Sequence, residues 1–531
     1  MKYFSGFLLL IFFILFSCSE KKIDRKNPIF DSKISIQKRI SLVVEQDFLQ
    51  ELDFPDQIKD SIYAFYMQNH FKPVWVNDSM VTEKGAKWKN FLRFPTALGL
   101  PDNRLFQLQV DSLKHLPLIQ EFYLTGLLFQ VNHDLQVGFL DSAQMKYRPI
   151  LPTTIQNLSA SIDEMDTVTK WGSWFANKGF NRPEYRSLAK ALFYFAYGKN
   201  LSTIRFEIPT IEEDSLGCIN LIRESLVAKF YLNKDSVENE SYFKTALIAF
   251  QKDNGINPNG KINEHTIKAL SESEYYKCQR TVLSLERWRW RSQFPERYIW
   301  VNIPEYKLRI FYNDTLFSTH SVVVGKPENK TPQLTSRLRA IITLPYWTQP
   351  QSIAEKEFLP AMKSNPHYAI KNEYKVFRGK TEVDPLTINW KRYKEKNFPF
   401  RVRQEPGEKN ALGLVKFEFN NKYGVYLHDT PSKGFFKKDI RAYSHGCVRC
   451  EMPDSLARFI LTRDEKQKMT RDSLDTLIAH KTNFTIILRK PIDIQLDYIT
   501  VTTNEKGKLV FYPDIYDRDK TYLDALNIKQ E

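Results

Sequence analysis

Glycine and cysteine are both scarce in this chain, nineteen and five among 531 residues. A sequence so poor in glycine, yet 42% hydrophobic and 14% aromatic, is not a low-complexity polymer and can build packed cores. Its length predicts two to four domains. A basic arm is lacking too: the formal charge is +15, but lysine and arginine are interspersed with aspartate and glutamate. That spacing argues against nucleic acid and suits diffuse attraction to a polyanionic wall or an anionic lipid surface. Paired metal-ligand halves are missing as well. His428, His445, Cys447 and Cys450 are acceptable zinc ligands, but H-x-C-x-x-C has no second half and Arg449 adds repulsion, so no metal is expected. Cys447-Val448-Arg449-Cys450 is formally C-x-x-C, but no strand-helix-strand unit surrounds it, which argues against thioredoxin-type chemistry.

What is present begins at the N-terminus. Lys2 precedes an apolar run from Phe7 to Phe16, too short for a membrane span of ~20 residues but of signal-peptide length. The run ends Leu15-Phe16-Ser17-Cys18, which resembles the lipobox of bacterial lipoproteins. The resemblance implies a signal peptide over residues 1–17, a lipidated Cys18, and a tether over 18–39 leaving a membrane surface. The expected location is the cell envelope, as a periplasmic lipoprotein; Ser19 is compatible with the outer membrane.

Residues 40–207 are helical in pattern. Ile58 through Phe71 and Ile119 through Val131 carry apolar residues at three- and four-residue spacings, and no cluster of Cys, His and carboxylate appears among them. This reads as scaffold. Residues 211–271 form a separable helical unit. Ile219, Ile222, Leu226 and Phe230 line one face; Phe243, Leu247 and Phe250 line another; Asn263 caps a last short helix. Cys218 and Cys278 flank this unit and are candidates for a staple. After Trp290 short strands take over, at Tyr298–Ile303, Lys307–Tyr312, Ser318–Val324, Ala340–Leu344, Leu414–Phe419, Gly424–His428 and Phe484–Leu488. One helix is expected over Pro453–Leu461. The strand rhythm lapses between Trp347 and Gln404, a long charged and aromatic insertion.

The chemistry is concentrated in two segments, Tyr426-Leu427-His428-Asp429-Thr430-Pro431 and Ser444-His445-Gly446-Cys447-Val448-Arg449. A cysteine beside a glycine, with two histidines and an arginine near in sequence, supplies the parts of a thiol acyl-transfer site. A free thiol is only a few per cent thiolate at neutral pH, and either histidine is placed to help. Arginine can hold a carboxylate with a bidentate fork. Backbone N–H groups at Gly446 and Cys447 are candidates for an oxyanion hole.

These segments resemble the L,D-transpeptidases with a YkuD-type catalytic domain, which remodel peptidoglycan. Leu285 to Trp290, Val301-Asn302-Ile303-Pro304, Val323 to Lys326, Thr331-Pro332, Pro345-Tyr346-Trp347, Ser352-Ile353-Ala354, Asn410 to Gly413 and Lys416-Phe417 follow the order of the large YcbB-like subgroup. Leu344 and Cys450 depart from it, and Cys450 reads as a neighbour able to block Cys447 by disulfide formation. The resemblance implies a multidomain α+β protein: a helical scaffold, a three-helix peptidoglycan-binding-like module at 211–271, and a β-rich catalytic domain at 296–490. A capping insertion at 348–404 interrupts that domain, and an extension follows over 491–531. It implies Cys447 as nucleophile and His428 as the proton acceptor and donor, oriented by the backbone carbonyl of Asp429. His445 is the alternative base. Arg449, Ser444, His445, Tyr426 and Trp347 are expected to bind substrate. The implied reaction needs no cofactor. It forms 3→3 cross-links between stem peptides through a cysteine thioester, with L,D-carboxypeptidase activity or an inactive wall-binding lipoprotein as alternatives. The implied partners are peptidoglycan stem peptides and glycan, and the membrane through the N-terminal lipid.

Overall fold

The computed structural model describes residues 29, 31, 33–46, 48–78, 80–101, 116–140, 168–291, 295–463, 471–526 and 528. Cys18, the apolar run and the start of the tether lie outside the described residues. The chain divides into two compact units, one of Met1–Ser202, Thr281–Arg291 and Glu505–Gly507, the other of Thr203–Arg280, Ser292–Asn504 and Lys508–Glu531.

The first unit is helical, as its apolar spacing predicts. Helices occupy Ile36–Glu45, Asp56–Gln68, Glu83–Phe91, Pro117–Val137, Val168–Lys178 and Pro183–Ala196. Pro117 and Pro183 stand in the first turns of their helices, where a missing N–H costs nothing. Ile58, Ile62 and Phe65 are buried. Trp88 stacks on Trp171 with centroids 5.3 Å apart. The buried Glu121 carboxylate accepts from the N–H groups of Val74, Trp75 and Val76 at 2.6, 2.8 and 3.0 Å, and from the Tyr66 hydroxyl at 2.7 Å. The Leu285–Trp290 motif, read from sequence with the β-rich half, is instead core of this unit. Glu286 accepts from the N–H groups of Phe139 and Leu140, and buried Arg289 reaches the Gly99 carbonyl at 3.0 Å and the Tyr185 hydroxyl at 3.1 Å. A charged motif looks like surface in sequence; here its partners lie more than a hundred residues away.

In the second unit, helices Ser215–Ala228, Glu240–Asp253 and Glu264–Ser271 enclose a core of Ile222, Leu226, Phe243, Leu247, Phe250 and Leu270. The Asn263 side chain caps the third helix, accepting from the Thr266 N–H at 2.9 Å. Phe230 does not join the core. The first helix ends at Ala228, Phe230 turns to φ 61°, and its ring is 90% exposed. Cys218 and Cys278 are buried thiols, not a staple.

The β-rich part comprises β1 (Arg297–Asn302), β2 (Lys307–Tyr312), β3 (Thr315–Gly325), β4 (Leu334–Thr343), β5 (Trp347–Thr348), β6 (Tyr374–Arg378), β7 (Thr381–Val383), β8 (Phe400–Gln404), β9 (Val415–Phe419), β10 (Leu427–His428), β11 (Ala442–Ser444), β12 (Val448–Cys450), β13 (Phe484–Asp497), β14 (Val501–Thr503) and β15 (Leu509–Phe511). Nine of these form one sheet in the order β11-β3-β12-β10-β9-β4-β13-β1-β2. The first half of β3 pairs with β2 and its second half with β12 and β11, so the sheet closes on itself. Most neighbours are antiparallel; β1 with β13, β10 with β12, and β11 with β3 are parallel. Ile299, Val301, Val322, Val324, Ile341, Phe417, Leu427 and Val448 fill the interior with Leu456 and Ile460 of the helix Pro453–Arg463. The insertion has its own sheet, β5-β8-β6-β7, and its own core around Phe358, Trp390, Phe398 and Phe400. The boundary expected at residue 490 falls inside β13, whose chain runs on to the β14–β15 hairpin and the helix Arg518–Ala525. Arg280 ties that helix in, pairing with Glu272 at 2.7 Å and Asp519 at 3.0 Å.

Gln251 tests the module. Its buried amide donates to the Lys261 carbonyl at 2.8 Å and accepts from the Gly260 N–H at 2.9 Å, pinning the loop that the sequence marks with Asn259-Gly260. Gln251→Ala leaves both backbone groups unpaired and should destabilise the unit by about 1–3 kcal/mol, read by urea denaturation. An unchanged midpoint would show the loop is held otherwise.

Candidate active site

Two short parallel strands carry the site. Leu427 of β10 pairs with Val448 of β12 and His428 with Arg449, and the Val448 N–H donates to the Tyr426 carbonyl at 3.1 Å. Cys447 therefore stands beside Tyr426. Side chains two apart on a strand share a face, and the rings of Tyr426 and His428 lie 5.5 Å apart.

The loop between β11 and β12 bends at Gly446, whose φ of 110° lies where side chains rarely go. Its approach to β3 also demands glycine: a Cβ on Gly325 would meet the Asn329 oxygen at 2.1 Å and the Gly446 Cα at 3.1 Å. The loop's backbone groups are almost all engaged. Ser444 Oγ accepts from the Gly446 N–H at 3.1 Å and donates to the Cys447 carbonyl at 2.5 Å. Thr331 Oγ1 donates to the Gly446 carbonyl at 2.9 Å. Of the groups from the Gly446 N–H to the Val448 N–H, only the Cys447 N–H has no protein partner among the described residues. This corrects two expectations. The Gly446 N–H is spent on Ser444 and does not serve an oxyanion hole, and buried Ser444 braces the loop from inside and does not face substrate.

His428 is buried, and its Nδ1 lies 2.5 Å from the Asp429 carbonyl oxygen. A carbonyl only accepts, so Nδ1 carries the hydrogen and Nε2 is the ring's proton acceptor. Burial, with the nearby charge of Arg449 next in weight, pushes the imidazole down to about 3, so it is neutral across the ordinary pH range. The Asp429 carboxylate is occupied elsewhere, by the Leu414 N–H at 2.9 Å and by Lys433. His445 takes another role: its Nε2 lies 2.5 Å from Glu357 Oε1, on a π-helical turn (Ala354–Phe358) of the insertion. The insertion thus touches the catalytic loop directly.

Burial pushes the Cys447 thiol up, against a hydroxyl and a backbone N–H of Tyr426 and the charges of Lys416 and Arg449. The resting site is a neutral thiol beside a neutral imidazole. Burial, with the Cys447 contact adding, holds the Tyr426 hydroxyl protonated beside the sulfur, with Trp347 of β5 as a further neighbour. Lys416 Nζ sits 4.5 Å from the Tyr426 ring centroid. Arg449 stacks over Phe435 at 5.7 Å, and its Nε is buried without a hydrogen-bond partner. Cys450 faces the core, fully buried. Three residues of extended chain span roughly 10 Å, beyond disulfide reach, so Cys450 does not block Cys447 as the sequence suggested. Among the described residues no three His, Cys, Asp or Glu side chains converge as metal ligands. Sequence reading missed Thr331 as a loop brace, Glu357 and Tyr516; Thr331-Pro332 was visible only as a motif.

The raised thiol gives a pH prediction. Iodoacetamide labelling of Cys447 should climb through the alkaline range past the ordinary thiol value of 9.0, without a plateau near neutrality. Tyr426→Phe removes a donor that favours thiolate and should slow labelling several-fold at fixed pH. A neutral-pH plateau in the wild type would instead indicate a thiolate–imidazolium pair.

Residues 296–470 match the family model described as the YkuD L,D-transpeptidase catalytic domain, and residues 60–192 match a scaffold domain. A Haemophilus influenzae protein named "Putative L,D-transpeptidase" is 36% identical over 223 residues, a stretch covering 42% of this chain and 44% of that relative. The chain thus spans under half the length of the curated relative it matches. Among solved structures, an L,D-transpeptidase from Mycobacterium smegmatis overlaps 38% of this chain and 58% of its own at 12% identity and a TM-score of 0.18. The L,D-transpeptidase (Yku) from Stackebrandtia nassauensis overlaps 52% and 88%, also at 12% identity and 0.18. Scores this low add nothing to the assignment, which rests on the sequence matches. The chain carries an L,D-transpeptidase catalytic domain of the YkuD family, accompanied by a scaffold domain.

Proposed function

We propose that the protein is a peptidoglycan L,D-transpeptidase that forms 3→3 cross-links through a Cys447 thioester. The observation that carries this reading is the unpartnered Cys447 N–H beside a thiol that shares its strand pair with a neutral, tautomer-fixed His428. Cys447 Sγ attacks the carbonyl at the L centre of the third stem residue as His428 Nε2 takes the thiol proton. The Tyr426 hydroxyl stabilises negative charge on sulfur while the bond forms. The carbonyl oxygen becomes an oxyanion and accepts the Cys447 N–H. Collapse breaks the peptide bond, and His428 returns the proton to the departing D-Ala amine. An amine of a second stem then attacks the thioester, passes its proton to His428, and regenerates the thiol. Water in its place would give a carboxypeptidase, and product analysis separates the two. Arg449, with its unpaired Nε, is suited to a stem carboxylate.

Incubation with tetrapeptide muropeptides should add a tripeptide-acyl mass to Cys447, and Cys447→Ala should abolish turnover. Turnover without any adduct at that residue would sink the mechanism.

The reading includes an envelope location. Lipid on Cys18 would hold the chain at a membrane facing the wall, and the 211–271 module, if it engages glycan, would raise local substrate concentration. Mass spectrometry of the mature N-terminus should find a diacylglyceryl-modified Cys18. An unmodified terminus beginning elsewhere would refute anchoring and leave the chemistry untouched.

A further inference from the structure

The sequence matched to the catalytic domain ends at residue 470, yet a residue beyond it reaches the catalytic loop's support. Tyr516 lies between the β14–β15 hairpin and the helix Arg518–Ala525, 2% exposed. Its hydroxyl donates to the Gly325 carbonyl at 2.6 Å and accepts from the Thr331 N–H at 3.1 Å. Thr331, fully buried, accepts on Oγ1 from the Gly325 N–H at 2.8 Å. A threonine hydroxyl has a single hydrogen, and with the Gly325 N–H already pointing at the oxygen, that hydrogen goes to the Gly446 carbonyl, 2.9 Å away.

This last bond has a consequence one peptide further on. The Gly446 C=O and the Cys447 N–H belong to one planar trans peptide and point in opposite directions. Anchoring the oxygen inward on Thr331 turns the N–H outward, toward the side where its partner is missing. Glycine at 446 permits this orientation through its φ of 110°, but does not by itself select it. Ser444 fixes the flanking Gly446 N–H and Cys447 C=O, but touches neither group of this peptide.

We infer that Thr331 and Tyr516 are positioning residues for acyl transfer: Thr331 aims the Cys447 N–H as the oxyanion donor, and Tyr516 holds Thr331 in register. The inference rests on the transpeptidase reading above. It makes the C-terminal segment part of the working site, since Tyr516 is itself secured by its N–H to the Tyr498 hydroxyl at 2.9 Å and by Lys330 Nζ to its carbonyl at 2.9 Å.

The test compares two reactions of one thiol in the full chain. Acylation, by a carbapenem or a tetrapeptide donor, passes through an oxyanion; alkylation by iodoacetamide does not. Thr331→Val should slow acylation by about tenfold to a hundredfold, less than the roughly hundredfold to thousandfold cost of removing an oxyanion donor outright, with KM little changed and alkylation as in the wild type. Thr331→Ser, which keeps the hydroxyl, should restore acylation, and Tyr516→Phe should give a smaller loss with the same split. Wild-type acylation rates in Thr331→Val would overturn the inference. A parallel fall in alkylation would also overturn it, by showing general loosening of the loop. A wild-type protein that alkylates but never acylates would overturn the transpeptidase reading itself, and this inference with it.

Discussion

The parallel pairing of Leu427 with Val448 is the constraint on which the site depends. Parallel neighbours need a connection that leaves the pair and returns, and here it runs through the turn at Lys433–Lys437 and through β11, which pairs with β3 on the far side of β12. The loop bearing Cys447 is the tight link from β11 back to β12. Its shape is set by both neighbours: β10 fixes the Val448 N–H, and β3 with Thr331 fixes the Gly446 carbonyl. The β2–β3 pairing closes the rest of the sheet, so β10, β12 and β3 are each held on both sides and these contacts depend on one another; β11, paired with β3 alone, is the edge.

Burial sets the chemistry. Lys416 and Arg449 favour a thiolate on Cys447 but, by the same field, disfavour an imidazolium on His428. An ion pair between the two would gain on one side and lose on the other. Desolvation penalises both charged forms, so the neutral pair wins at rest. In the proposed acyl transfer, activation is then a proton transfer made during attack, when the sulfur's new bond removes the need to carry a free charge. His445 is poorly suited to that transfer, because its Nε2 is committed to Glu357.

The sequence revealed much of this site and little of its support. Cys447, His428 and the orienting contact of the Asp429 backbone are legible in two short segments, because a thiol, two imidazoles and a glycine so close in sequence stand out by their chemistry. β2 was legible to the residue, and β1 and β9 nearly so, since five or six residues rich in β-branched and aromatic side chains between turns are a readable signal. β10, β11 and β12 are two or three residues long, too short for any periodicity to register. Phe230 was misplaced because apolar spacing ran on past the point where the backbone turned left-handed. The Gly446 N–H looked available because its competitor, Ser444 Oγ, is a side chain whose direction depends on fold. Leu285–Trp290 was recognised as a motif, but its burial among helices depends on partners far away in sequence. Tyr516 carried no signal at all, since one tyrosine among 26 says nothing until a carbonyl and an N–H converge on it.

The same dependence on distant partners explains why the insertion meets the site where it does. β5 begins with Trp347, a neighbour of the Tyr426 hydroxyl, and the π-helical turn presents Glu357 to His445. A π turn adds a residue to the helix and rotates the side chains after it, the sort of local irregularity that re-aims a functional group. The insertion therefore meets the neighbours of Cys447 and His428 at two points, at Tyr426 and through a carboxylate at His445. Neither contact reaches His428 Nε2 or the Cys447 N–H, the two groups that the proposed acyl transfer uses. On that proposal, an insertion that engaged either would block the reaction; one that engages their neighbours can order the site and leave it open.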